Sequence, residues 1–229
     1  MLRIAAGAGT SHIVATPHAN PHYSYDRHAA QALLDELQAA AGSAIRLHLG
    51  CDCHFSLENI EAVLADPAGF TVNGGPWLLI EFADFNIPPS TEEIFEKLHA
   101  AGLRLIVTHP ERNAVLRQSL QRLRAWVDSG VCMQVTAQSL TGGFGRAARG
   151  FAFKLIRGGL VHFVASDGHD PVDRPPRLDE AFRLLCSRFG EPYARLLVEQ
   201  FPRAVIEARP LDRGPAPRPP VRRWYQFWR

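Results

Sequence analysis

The chain has 229 residues, is 46% hydrophobic and 21% charged, and carries a formal net charge of +2. That suits one globular domain of α/β size with a real core. No apolar run of about 18 residues marks a membrane helix, no basic stripe marks a nucleic-acid binder, and the opening MLRIAAGAGT is too short and too polar for a secretory signal.

In chain order, strand-like and helical runs alternate. His12–Thr16 reads as a strand, and 26–41 as a helix with Ala29, Leu33, Leu34 and Leu37 on one apolar face. A strand over 45–50 precedes a short helix over 56–65 with Ser56 as N-cap. The strand WLLIEF (77–82) leads to a helix over 91–101, with Glu92 and Glu93 in its first turn and Gly102 after its end. RLIVT (104–108) is followed by a helix over 118–129, and CMQVT (132–136) by a polar, glycine-bearing loop over 136–145 and a helix over 146–157. The last strand, 162–166, precedes closing helices over 178–189, 192–200 and 202–208. Six mostly continuous apolar runs joined by helices imply a parallel sheet covered on both faces, best accommodated as a (β/α) barrel.

Residues 1–208 read as the folded domain and 209–229 as a tail. Five prolines in about a dozen tail residues preclude helix or sheet. The tail ends in WYQFW among arginines, so any membrane contact is expected there. Cys51, Cys53, Cys132 and Cys186 complete no zinc-ribbon spacing and read as small thiols in a reducing, cytoplasmic setting.

Five of the six strands run into imidazole or carboxylate residues: His18; Asp52 and His54; Glu81; His109 and Glu111; Asp167 and His169. In parallel α/β folds, ligands lie beyond the C-terminal strand ends. Oxygen and nitrogen donors without thiolates suit Mn²⁺, Fe²⁺ or Zn²⁺ in a catalytic rather than a structural site. Glu81 is the natural bridging carboxylate for two ions, which together activate water and clamp a phosphoryl group. Arg112 and Arg174 follow two of these strand ends, and an arginine fork matches phosphate oxygens. No Cys-x5-Arg loop is present to support a cysteinyl-phosphate route.

HIVATPH (12–18), LGCD (49–52), WLLIEF (77–82), HPERN (109–113), QVTAQSLTGGFG (134–145) and HFVASDGHD (162–170) together resemble the capsular-polysaccharide type of tyrosine-protein phosphatase. That family lies within the PHP (polymerase and histidinol phosphatase) superfamily. The resemblance implies a distorted (β/α)₇ barrel that holds two or three divalent ions, usually manganese. It implies hydrolysis of phosphotyrosine on the tail of a bacterial tyrosine kinase that controls capsule or exopolysaccharide export. His18, Asp52, Glu81, His109, Asp167 and His169 resemble its metal ligands, with Asp52 standing where the family usually has Glu. Arg112 and Arg174, beside His169, resemble its catalytic, phosphate-contacting residues. The family's first strand, which carries His-x-His, has no counterpart here, so the expected barrel lacks one strand. Either the protein is longer than this sequence, or the metal centre is incomplete and turnover weak. The alternatives in that light are a histidinol-phosphatase-like phosphomonoesterase and a non-catalytic phosphotyrosine or kinase binder.

Overall fold

A computed structural model describes residues 1–211. The strands are β1 (His12–Ala15), β2 (His18–Ala19), β3 (Arg46–Leu49), β4 (Asp52–His54), β5 (Trp77–Glu81), β6 (Arg104–Thr108), β7 (Cys132–Thr136) and β8 (Phe163–Ala165). The helices are α1 (Leu2–Gly7), α2 (Arg27–Ala41), α3 (Leu57–Ala65), α4 (Pro67–Phe70), α5 (Thr91–Ala100) and α6 (Leu120–Asp128). They continue with α7 (Ala137–Thr141), α8 (Gly145–Arg157), α9 (Asp179–Phe189), α10 (Glu191–Arg195) and α11 (Phe201–Ile206).

Strands β2, β4, β5, β6, β7 and β8 form one sheet in that order, and β1 pairs with β3; every pair is parallel. β1 and β2 are two halves of one extended run split at Pro17, which has no N–H to donate to a ladder. The pairing bridges the split: Gly50 N donates to Ala15 O at 2.8 Å, and Asp52 N to Pro17 O at 3.1 Å. His18 and Asp52, expected just beyond strand ends, therefore lie on short strand extensions. The edge strands β2 and β8 send their loops toward each other, so the His18 and His169 rings approach to 5.7 Å.

The central strands are buried on both faces, as their unbroken apolar runs require. Leu78, Ile80, Leu105, Val107, Met133 and Val135 are fully buried. Phe82, Phe95 and Trp126 pack together as an aromatic cluster, with Phe82 stacked on Trp126 and Phe95 edge-on to it, and Glu92 accepts from Trp126 Nε1 at 2.7 Å. That bond satisfies the one polar atom of the largest buried side chain.

Three sequence expectations are corrected. Leu33 and Leu37 are 66% and 45% exposed, because α2 meets β1–β3 along a narrower stripe of Ala30 and Leu34. The expected loop over 136–145 holds the helix α7, ended by Gly142 in a left-handed conformation at φ 104°. Helix 192–200 breaks into α10 and a π-helical turn over Leu196–Gln200. Within the expected tail, Arg209 O accepts from Trp77 Nε1 at 3.1 Å; its Pro/Arg-rich stretch and WYQFW end, 212–229, lie outside the described residues.

Candidate metal centre

Parallel pairing places the site. His18 and Asp52 are register partners on β2 and β4, and Glu81 ends β5 beside His54. Ligand atoms of His18, Asp52 and Glu81 all lie within 4.8 Å of one another. His18 Nδ1 is 3.4 Å from Glu81 Oε2 and 3.5 Å from Asp52 Oδ2, while His109 Nε2 is 3.2 Å from Glu81 Oε1. On the far side of the sheet's mouth, Asp167 Oδ1 is 3.6 Å from His169 Nδ1. The six residues that resemble the family's metal ligands thus gather at one rim. His54, half-buried at the β4 end, makes no ion pair with them among the described residues.

The backbone confirms that these strand ends are unusual. His109 and Asp167 adopt positive φ, 33° and 49°, a region costly for side chains other than glycine and typical of functional sites. Gly168, between Asp167 and His169, passes so close to Pro176 that a Cβ there would meet its ring and backbone at 3.0 Å. Asn59 ties the rim from behind: its Nδ2 donates to Ala19 O at 2.7 Å and to His54 O at 2.9 Å. Thr108 Oγ1 donates to Ile80 O at 3.2 Å and reaches Asp52 Oδ1 at 3.4 Å.

Electrostatics show a cluster short of positive charge. Burial, then the charge of Glu81, pushes Asp52 up to about 7. Burial also opposes ionisation of Glu81, but the facing imidazoles of His109 and His18 overcome it and hold this carboxyl well below its usual range. Glu81 in turn raises His18 against the effect of burial. Burial lowers His109, and the Glu81 carboxylate together with the charges of Asp52 and Asp167 more than offsets it. His18 Nδ1 is buried without a hydrogen-bond partner, though two carboxylates face it. An imidazole nitrogen and carboxylate oxygens converging without a shared proton fit a divalent cation.

Arg112 Nη1 and Arg174 Nη2 both donate to Asp167 Oδ2. Both guanidinium groups also lie against the Phe144 ring. The sequence placed Glu111 among the strand-end carboxylates without revealing its bracing role, and it did not single out Phe144. Glu111 is fully buried, accepts from Thr136 N at 2.9 Å and from Ser139 Oγ at 2.6 Å, and so fixes the start of α7. The only sequence signal for them was their place inside HPERN and SLTGGFG. The sulfur chemistry is quiet: Cys51, Cys53 and Cys132 are buried, and burial raises all three thiols, Cys53 and Cys132 to about 12.

A parallel α/β sheet with imidazoles, carboxylates and two arginines gathered beyond its strand ends defines a barrel-type protein with a candidate metal site at its rim. Residues 1–207 match the family model for capsular polysaccharide synthesis, CpsB/CapC, and the chain belongs to that family. It is 32% identical to the tyrosine-protein phosphatase YwqE of Bacillus subtilis over 203 residues, covering 87% of this chain and 80% of the relative. It is 33% identical to the putative tyrosine-protein phosphatase CapC of Staphylococcus aureus over 186 residues, covering 80% and 72%. Among solved structures, it superposes at a TM-score of 0.83 and 29% identity on one from a study of YwqE from Bacillus subtilis and CpsB from Streptococcus pneumoniae, described as unique metal-dependent tyrosine phosphatases. That match covers 96% of this chain and 89% of the other. An adenine deaminase from Arthrobacter aurescens matches at a TM-score of 0.51 and 18% identity, a likeness of fold alone.

Proposed function

We propose that this chain is a metal-dependent protein-tyrosine phosphatase of capsule or exopolysaccharide synthesis, acting in the cytoplasm on the phosphotyrosine-bearing tail of a bacterial tyrosine kinase. The observation that carries it is the convergence of His18, Asp52, Glu81, His109, Asp167 and His169 at one rim with Arg112 and Arg174 beside them. Likeness to the Bacillus and Staphylococcus phosphatases over most of the chain supports the same reading.

In this reading His18, Asp52 and Glu81 hold one divalent cation, and His109, Asp167 and His169 extend the donor set to two or three. Oxygen and imidazole donors suit Mn²⁺, Fe²⁺ or Zn²⁺, and the family resemblance makes manganese the expected ion. A cation bound there polarises a phosphoryl oxygen and lowers the pKa of water. The remaining work falls to the chain's own side chains. Arg112 and Arg174 take the non-bridging phosphate oxygens, a role for which paired guanidinium forks are suited. His169, whose side chain is 40% exposed, stands at the mouth of the site. The buried, protonated thiols leave no cysteine nucleophile at the rim.

The test is phosphate release from a phosphotyrosyl peptide and from a matched phosphoseryl peptide, with manganese and after chelation. Release from the phosphotyrosyl peptide alone, lost with chelator and restored by manganese, is expected. Release that survives chelation, or that Asp167→Ala leaves unchanged, contradicts the assignment.

A further inference from the structure

We infer that Phe144 is a positioning residue for phosphate binding: its ring is the platform on which the two phosphate-facing arginines are laid side by side. The inference rests on the function proposed above and adds a residue to its machinery. Arg112 arrives from the β6 end and Arg174 from the loop after β8, so no shared backbone fixes them relative to each other. They meet at two places. One is Asp167, which accepts from both. The other is Phe144, whose ring centroid lies 4.4 Å from Arg112 Cζ and 5.6 Å from Arg174 Cζ. A guanidinium over an aromatic face is held by the ring quadrupole while its N–H groups stay free for an anion. Asp167 is also a candidate metal ligand, so its carboxylate has a competing use. Phe144 has none, and it offers the arginines a surface that phosphate cannot titrate away.

The surroundings are built to hold this ring still. Glu111 anchors the start of α7 through Thr136 N and Ser139 Oγ. Gln138 Nε2 donates to Asp173 O at 2.6 Å, tying α7 to the loop that carries Arg174. Gly142 and Gly145 flank the ring at φ 104° and 82°, with Gly145 N donating to Gly142 O at 2.9 Å. These left-handed positions favour glycine and make the tight turn that presents Phe144. Arg117 Nη1 donates to Arg112 O at 2.6 Å and fixes that arginine's backbone. A glycine-flanked aromatic under two convergent arginines is more than a loop residue needs for packing.

The experiment measures inorganic phosphate binding to the manganese-loaded full chain by calorimetry, with manganese stoichiometry and melting temperature recorded for each variant. Phosphate carries no aromatic ring, so it reports on the arginines and not on a wall for the tyrosyl side chain. Phe144→Leu, which fills the space without a quadrupole, should weaken phosphate binding about tenfold with manganese stoichiometry unchanged. Phe144→Tyr should stay within about twofold of the parent. Phosphate binding by Phe144→Leu equal to the parent's overturns the inference, as does a loss of manganese parallel to the loss of phosphate. Arg112→Ala and Arg174→Ala separate the two levels. If they abolish phosphate binding while Phe144→Leu does not, the platform fails and the proposed site stands; if they too leave it unchanged, the proposed site fails and the platform with it.

Discussion

Glu111 gives the sharpest test of how the rim is braced. Its carboxylate is wholly buried, accepts two hydrogen bonds through Oε1, and leaves Oε2 without a partner. Burial raises its pKa, and the bonds from Ser139 and Thr136 only partly oppose this. Glu111→Ala strands the Thr136 N–H and the Ser139 hydroxyl in a dry interior, at about 1–3 kcal/mol for each donor, and opens a small cavity besides. A total loss of about 3–5 kcal/mol is expected. Glu111→Gln keeps the Oε1 acceptor and resembles a protonated carboxyl, so it should cost about 1 kcal/mol or less. Urea denaturation followed by circular dichroism measures both: the midpoint should fall sharply for alanine and little for glutamine, with the slope unchanged. An alanine variant within about 1 kcal/mol of the parent would show that α7 does not depend on this carboxylate. A glutamine variant as damaged as alanine would show that the negative charge itself is needed.

Other consequences follow from the same contacts. His162 is buried, which lowers it from 6.5 to about 4, and its Nδ1 accepts from Met133 N at 3.2 Å. The unfolded chain takes up this proton below about pH 6.5 and the folded chain only near pH 4. The contribution, about 3 kcal/mol, is therefore complete above pH 6.5 and is lost as pH falls towards 4; His162→Gln should flatten the slope of stability against pH across that window. Asn59→Ala unties β2 from β4 behind His18 and Asp52, so manganese affinity should drop by about tenfold or more in a direct titration while the melting temperature moves little; unchanged affinity would show that the tie does not orient the donors. Arg174→Ala should mainly raise KM for a phosphotyrosyl peptide, because it removes binding common to ground and transition states; a fall in kcat at constant KM would place Arg174 in the transition state alone.

Much of the rim was legible because a parallel sheet turns sequence order into spatial order. Residues following His12–Thr16, 45–50, 77–82, 104–108 and 162–166 had to emerge at one end, so the strand-end imidazoles and carboxylates could be gathered without knowing a distance, and the family resemblance picked His18, Asp52, Glu81, His109, Asp167 and His169 from them. What stayed hidden depends on contacts across strands. Glu111 stands two residues from His109 yet serves β7 and α7, which no local spacing reveals. Phe144 acts on arginines about 30 residues away on either side, through a ring face rather than a hydrogen bond. α7 was missed because Thr and Gly residues in its neighbourhood read as loop, while the tertiary bonds from Glu111 impose a turn of helix. Leu33 and Leu37 were misplaced for a related reason: periodicity identifies an apolar stripe, but the width of the partner decides how much of it is covered.

The central claim is that imidazoles and carboxylates from separate strands hold divalent metal together. Equilibrium manganese titration of the full chain and of Glu81→Ala, read by calorimetry with elemental analysis of the dialysed protein, tests it most directly. Glu81 faces both His18 and His109, so its loss should cut affinity at least a hundredfold while the fold persists by circular dichroism. Stoichiometric, tight manganese binding that survives Glu81→Ala would contradict the account.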